Sequence, residues 1–213
     1  NDMMYGACQA FNSCPSLTHR AAHLIEAFGS NGLRSLFVPR MYTGEWAGTM
    51  CLTEADAGSN LAATRTTAVR DGEDRFRIKG DKIFISFGDH DITENIIHLV
   101  LARIEGAPAG VRGISLFVVP KIRVNADGSL GAPNDVACTG VEHKMGLHAS
   151  PTCALSFGSR DACIGHLCGE ENKGLAHMFQ MMNEARIGTG VSGMTLASTA
   201  YRHALAYART RRQ

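Results

Sequence analysis

The stretch Met50-Cys51-Leu52-Thr53-Glu54-Ala55-Asp56-Ala57-Gly58-Ser59-Asn60 carries the densest set of groups able to do chemistry. A strand-like end runs into a loop of Ala, Gly and Ser, whose small side chains let the backbone approach a flat ligand closely. The segment can offer main-chain N–H groups and the Thr53 and Ser59 hydroxyls to a heterocycle. Read by itself it is also a strand followed by a polar turn. Lys82-Ile83-Phe84-Ile85-Ser86-Phe87-Gly88 alternates and ends in glycine, as a core strand would. In Lys144-Met145-Gly146-Leu147-His148-Ala149-Ser150-Pro151-Thr152, Ser150 and Thr152 could serve a ligand or satisfy their own loop backbone. The nine histidines show no His-Glu-x-x-His spacing, so His143 and His148 read as hydrogen-bonded loop residues. The seven cysteines form neither a Cys-x-x-Cys pair nor a zinc-ligand pattern, so no metal site is expected and reduced thiols in an intracellular compartment are.

These segments need elements to position them. From Leu17 to Phe37 apolar residues recur at helical spacing, broken at Gly29-Ser30-Asn31-Gly32, which predicts two short helices. Pro39 and Gly44 mark the end of that regime. Between about Trp46 and Cys168 the pattern becomes short alternating runs separated by Gly, Asp, Asn and Pro, the signature of antiparallel strands. Predicted strands are Arg65 to Arg70, Arg75 to Lys79, Lys82 to Ser86, Ile96 to Ile104, Gly113 to Val119, Val136 to His143 and Thr152 to Phe157. Asp71-Gly72 and Asn125-Ala126-Asp127-Gly128 are turn signals. After Gly169 to Gly174 the helical period returns and continues to the end. Helix, then sheet, then helix predicts an α+β fold.

Composition bounds the possibilities. A chain of 213 residues, 45% hydrophobic and 19% charged, has the makings of a globular core. With 21 basic against 20 acidic residues, the net charge of +1 provides no field to gather nucleic acid or an anionic membrane, so an anionic ligand must be held by local groups. Arg209, Arg211 and Arg212 form the basic cluster, at a helix end where the dipole favours cations. No apolar run is long enough to span a bilayer. The chain begins Asn1-Asp2 without an initiator Met and reads as cut at both ends.

The first segment resembles the acyl-CoA dehydrogenase signature, aromatic-Cys-aliphatic-Thr-Glu-Pro-x-Ala-Gly-Ser-Asp, with Ala55 for the usual Pro and Asn60 for the usual Asp. Lys82 to Gly88 is similar to the family pattern Lys-x-aromatic-Ile-Thr/Ser-x-Gly. The third segment resembles the family loop with a substrate-contacting serine, Asn183-Glu184-Ala185-Arg186 the helical Asp-x-x-Arg, and Tyr207-Ala208-Arg209-Thr210-Arg211 the helix end Tyr-Ala-x-x-Arg. The resemblance runs from about Asn12 to Gln213. Gly88 to Asn95 and Glu142 to Cys153 are most similar to the subgroup that includes 3-methylmercaptopropionyl-CoA dehydrogenases.

The resemblance implies the end of an N-terminal helical domain (1–45), an antiparallel, barrel-like middle β domain (46–168) and the first helices of a C-terminal helical domain (169–213). It implies FAD held by Met50, Cys51, Leu52, Thr53, Gly58, Ser59, Phe84, Ile85, Ser86 and Arg211. The backbone of Met50 to Thr53 and the Thr53 hydroxyl would meet the isoalloxazine, Phe84 would shield it, Ser86 would face its N5, and Arg211 would reach the pyrophosphate in a neighbouring subunit. Ser59, Ser150, Asn183 and Arg186 would contact the acyl-CoA. The implied reaction removes an α proton and a β hydride to give a trans-2-enoyl-CoA. The glutamate base would lie outside this chain, since Glu54 occupies a structural position. Also implied are an electron-transfer flavoprotein or similar acceptor, a homodimer or homotetramer, and a cytoplasmic or, in a eukaryote, mitochondrial-matrix location. An acyl-CoA oxidase, or a non-catalytic module binding an acyl group or protein, stays open from the residues alone.

Overall fold

The structure, a computed structural model, describes residues 2–211, so Arg212 and Gln213 of the expected helix end lie outside the described residues. Three helices, α1 (Asp2–Ala7), α2 (Gln9–Phe28) and α3 (Asn31–Thr43), precede the sheet. Ten strands follow: β1 (Trp46–Cys51), β2 (Thr67–Arg70), β3 (Arg75–Ser86), β4 (Asn95–Ile104), β5 (Ile114–Pro120), β6 (Ile122–Val124), β7 (Leu130–Pro133), β8 (Val136–Val141), β9 (Thr152–Phe157) and β10 (Ile164–Leu167). One long helix, α4 (Gly174–Thr210), closes the described chain.

The main sheet runs β1-β4-β5-β10-β3-β9-β8, and β2 pairs with both β3 and β4. That double pairing closes β4, β5, β10, β3 and β2 into a ring, which leaves those five strands without open edges. Most pairs are antiparallel as expected, but β1 and β2 each pair with β4 in parallel. The long excursion between β1 and β4 lets the chain re-enter the sheet in the same direction.

Strands β4 and β5 are buried on both faces because each serves two cores. Ile97, Leu99, Leu101, Ile114, Leu116 and Val118 pack against α2, α3 and α4. Val100, Ala102, Phe117 and Val119 alternate with them and fill the barrel with Phe76, Ile78 and Phe157. The α4 N-terminus lies on β5 so closely that a Cβ at Gly174 would collide with the Ser115 and Leu116 backbone.

Three local expectations are corrected. Helix α2 starts at Gln9, eight residues before Leu17, because tertiary packing carries it through Pro15. Helix α3 continues past Pro39 to Thr43, and the stop is Gly44 at φ 81°. The two strands expected on either side of Gly80-Asp81 are one, β3. Gly80, at φ 152°, lets Thr66 cross it, since a Cβ there would sit 2.7 Å from Thr66 Cα.

Two buried carboxylates tie the loops to this frame. Asp135 accepts from the N–H groups of Arg160 (2.7 Å) and Ala162 (3.2 Å) and from the Ser159 hydroxyl (3.2 Å). Burial pushes its pKa up, but these donors and Arg160 outweigh burial and hold it below the usual carboxylate range. Glu54 is likewise depressed, as described below. A depressed carboxylate contributes stability above its unfolded-state pKa of roughly 4 and loses it as pH falls through the folded value. The melting temperature is therefore expected to be lower at about pH 3 than at about pH 6, and an unchanged value would refute this linkage.

Candidate functional site

The loop after β1 is built around one ion pair. Glu54 and Ala57 exchange backbone hydrogen bonds at 3.2 and 3.1 Å, which makes a tight turn and leaves Gly58, Ser59 and Asn60 exposed on its far side. The Glu54 carboxylate accepts from the Thr66 hydroxyl (2.6 Å), the N–H groups of Arg65 (2.7 Å) and Thr66 (3.1 Å), and Lys82 Nζ (2.8 Å). Burial raises its pKa, and the Lys82 ammonium with these donors more than reverses that. The Lys82 side chain is fully buried, which lowers its own pKa despite Glu54. With four donors on its two oxygens Glu54 is a structural anion, as its sequence position implies.

The same lysine stitches two of the sequence motifs together. Lys82 Nζ donates to the Leu52 carbonyl (3.0 Å), and the Ile83 N–H donates to the Thr53 carbonyl (2.9 Å). Met50-to-Thr53 and Lys82-to-Ser86 are thus held side by side. The side chains alternate: Cys51 and Ile85 point into the barrel core, so only their backbone faces outward, while Leu52 packs with the helices. Thr53 is half-buried. Burial lifts the Cys51 thiol to about 12, so it is neutral and inert.

Beyond Lys82 the β3/β9 register slips between Lys82 and Ile85, a bulge that re-aims the strand. Phe84 takes φ 59°, a left-handed conformation that is costly for a bulky side chain, and the residue is 57% exposed. Strain spent to push an aromatic ring outward marks a surface that something flat can cover. Ser86, also exposed, pairs with Thr152, and the Phe87 N–H donates to the Pro151 carbonyl (2.7 Å). These bonds bring the third motif beside the second. Ser150 itself is buried, with its backbone fixed by Leu147 and by Lys144 Nζ.

The fourth motif lies on α4. Asn183 and Arg186 are exposed, Arg186 donating to Asn183 Oδ1 (3.0 Å). Arg186 and Met50 line a common small cavity of about 370 Å³, so the helix motif meets the first strand motif. Arg211 does not join them. It lies 25 residues further along, roughly 37 Å of helix, outside reach of the Thr53–Ser86 surface in the same chain.

Sequence reasoning missed a cavity of about 1050 Å³ between α1, α2, the end of α3, the start of β1 and α4. Phe87 and Ala149, the neighbours of Ser86 and Ser150, form one wall, and Tyr5, Arg20 and Gly188 stand on the helices. The segment Gln9 to Ser16, ahead of the expected helix start and containing Pro15, carries no sequence-based assignment. Glu184 also lines the cavity, where its carboxylate is engaged by His23 Nδ1 at 2.7 Å.

A comparison with protein families matches residues 49–159 to the acyl-CoA dehydrogenase middle domain, and the match covers the barrel strands up to β9 with the first three motifs. The chain belongs to the acyl-CoA dehydrogenase family. It is 46% identical over 212 residues to 3-methylmercaptopropionyl-CoA dehydrogenase of Ruegeria pomeroyi, covering 100% of this chain and 36% of that protein. It is 46% identical over 218 residues to a butyryl-CoA dehydrogenase of Syntrophomonas wolfei, again 100% of this chain and 36% of the relative. A solved structure of a probable acyl-CoA dehydrogenase from Mycobacterium abscessus superposes with a TM-score of 0.79 at 27% identity, over 98% of this chain and 51% of that one. The chain therefore spans about a third of the length of these curated relatives. No helix among the described residues is long and apolar enough to cross a membrane.

Within this acyl-CoA dehydrogenase barrel one further polar cluster is sealed off. His98 Nδ1 lies 2.7 Å from the Thr49 hydroxyl, and burial pulls the His98 pKa down to about 3. A fully buried neutral imidazole packed edge-on to Phe157 fixes the barrel interior and has no access to a ligand.

Proposed function

We propose that this chain supplies the FAD-facing surface and part of the acyl pocket of an enzyme that converts an acyl-CoA thioester to the trans-2-enoyl-CoA. The observation that carries the reading is the joining of two motifs by Lys82 and Ile83, next to a Phe84 whose backbone strain turns its ring outward. These residues fit a flavin: a flat edge of backbone from Met50 to Thr53, an exposed aromatic ring and an exposed hydroxyl on Ser86. When bound, FAD supplies the acceptor for the β hydride. Ser86 and the Thr53 hydroxyl donate hydrogen bonds that are already oriented before charge arrives, so no reorganisation is needed. Gly58 and Ser59 keep the loop low enough for the ring to lie against it, and Ile85 and Cys51 contribute backbone only.

The thioester lies by Ser59 and Ser150, the acyl group enters the large cavity between Phe87 and the helices, and Asn183 with Arg186 holds the CoA portion. Glu54, saturated with donors, and Glu184, engaged by His23, are not free to take the α proton, and the family's glutamate base is expected elsewhere in the full-length protein. The distance from Arg186 to Arg211 supports a role for Arg211 on the pyrophosphate of FAD in a neighbouring subunit, hence a homodimer or homotetramer. Electrons pass on to an electron-transfer flavoprotein or similar acceptor, and the two bacterial relatives are consistent with a cytoplasmic location.

The test is anaerobic mixing of the full-length protein, purified with its flavin, with saturated acyl-CoA. The visible flavin absorbance is expected to bleach, and Ser86→Ala to slow bleaching by about 2- to 13-fold, the worth of one neutral hydrogen bond. A colourless protein, or a flavin that acyl-CoA leaves oxidised, would overturn the proposal.

A further inference from the structure

The helical wall of the large cavity contains a cation without a carboxylate. Arg20 projects from α2, and its one side-chain hydrogen bond among the described residues is a long one, Nη2 to the Tyr5 hydroxyl at 3.4 Å. Tyr5 in turn donates to Ser16 Oγ (3.4 Å), so the phenol proton is directed away and its oxygen faces the guanidinium. Glu184, the carboxylate that lines the same cavity, is committed one helical turn away to His23. The cavity lining combines apolar Ala10, Phe11, Ile187 and Val191 with polar Ser16, Thr18 and His19, and Phe11 and Ile187 are themselves exposed.

The place for this guanidinium is built by a second helix. A Cβ at Gly188 of α4 would fall on Arg20 Nη2 and lie 3.3 Å from the Tyr5 hydroxyl. Three elements therefore meet there: α1 brings the phenol, α2 the cation and α4 a glycine that makes room for both. Arg20 is partly buried, and a guanidinium drawn partly out of water gains most from a partner that fits its planar fork of donors, as a carboxylate does in two parallel hydrogen bonds.

We infer that the acyl cavity selects acyl-CoA thioesters whose far end is a carboxylate, with Arg20 as the residue that receives it. The inference rests on the acyl-CoA reading above. The thioester sits at the Ser150 side, where Phe87 and Ala149 form the wall, and the acyl chain runs between the helices toward Arg20. Tyr5 positions the guanidinium, and Gly188 keeps its slot open.

Adipyl-CoA and hexanoyl-CoA, matched in carbon count, separate the two claims in the full-length flavoprotein. The wild type is expected to show the higher kcat/KM with adipyl-CoA. Arg20→Gln is expected to reduce the adipyl-to-hexanoyl ratio of kcat/KM by about 10- to 150-fold, the range of a hydrogen bond to a charged group. Gly188→Ala, which displaces the guanidinium from the other helix, is expected to reduce the same ratio, and Arg20→Lys to retain part of it. These two variants decide the matter if Arg20→Gln does not fold. A wild type that oxidises hexanoyl-CoA with no preference for adipyl-CoA overturns the inference and leaves the proposed function standing. So does a ratio unchanged by the variants, as when Arg20 contacts the CoA phosphates of both substrates alike. Failure to oxidise any acyl-CoA is the separate outcome that removes the proposed function.

Discussion

Replacing Lys82 with methionine is expected to destabilise the protein by about 3–5 kcal/mol and to strip it of flavin. Methionine has nearly the same shape, so packing changes little, and what is lost is electrostatic. The Glu54 carboxylate, 9% exposed, would stay in place without its counter-ion, and the Leu52 carbonyl would lose its donor. Removing one member of a buried pair costs far more than the pair itself is worth, because the survivor stays desolvated. Adding Glu54→Gln to Lys82→Met should therefore recover part of the loss, since a neutral amide tolerates the site. Denaturant melts of the two single variants and the double variant measure this coupling. A Lys82→Met protein within about 1 kcal/mol of wild type would show that the pair does not hold the two motifs together.

Trp46→Ala is expected to cost a similar amount, about 3–5 kcal/mol, for a different reason. The indole is fully buried where β1 begins, tilted against Phe37 at 6.0 Å and covered by the Arg40 guanidinium at 4.8 Å. Truncation leaves a void that β1, clamped by its parallel pairing to β4, cannot collapse to fill. Trp46 also lines the large cavity proposed for the acyl group, so the void opens into it. Along with the lower melting midpoint, KM for short acyl-CoA is expected to rise, because the pocket no longer closes around the chain. Trp46→Phe, which keeps most of the volume, should cost markedly less, and equal losses for the two variants would argue against a packing origin.

The order helix, sheet, helix was legible because apolar periodicity reports which faces a segment must bury, and β2, β4, β5, β8 and β9 fell close to their expected positions while β6, β7 and β10 were not foreseen. Chain punctuation was less dependable. Gly80 looked like a break and proved to be a crossing point for Thr66, while Pro39 looked like a stop and proved to lie inside a helix ended by Gly44. Local rules state what a residue permits, and packing decides which permission is used.

For the site, the residue types around Thr53, Ser86 and Ser150 suffice to indicate the family, because the backbone geometry a flat ligand needs leaves short, dense signatures of Gly, Ser and Thr. That the segments carrying them lie side by side is a tertiary fact, made by the Lys82 and Ile83 hydrogen bonds and by the pairing of Ser86 with Thr152. Arg20, Tyr5 and Gly188 have no signature at all. They come from three helices, Gly188 lying more than a hundred residues from the other two, and each is unremarkable where it stands in the chain. Sequence determined which chemistry-bearing segments exist and on what kind of element each sits, since those follow from local spacing. Only the closed barrel and the long α4 laid across it decided which of them share a cavity, because proximity between distant segments is set by how whole faces bury one another.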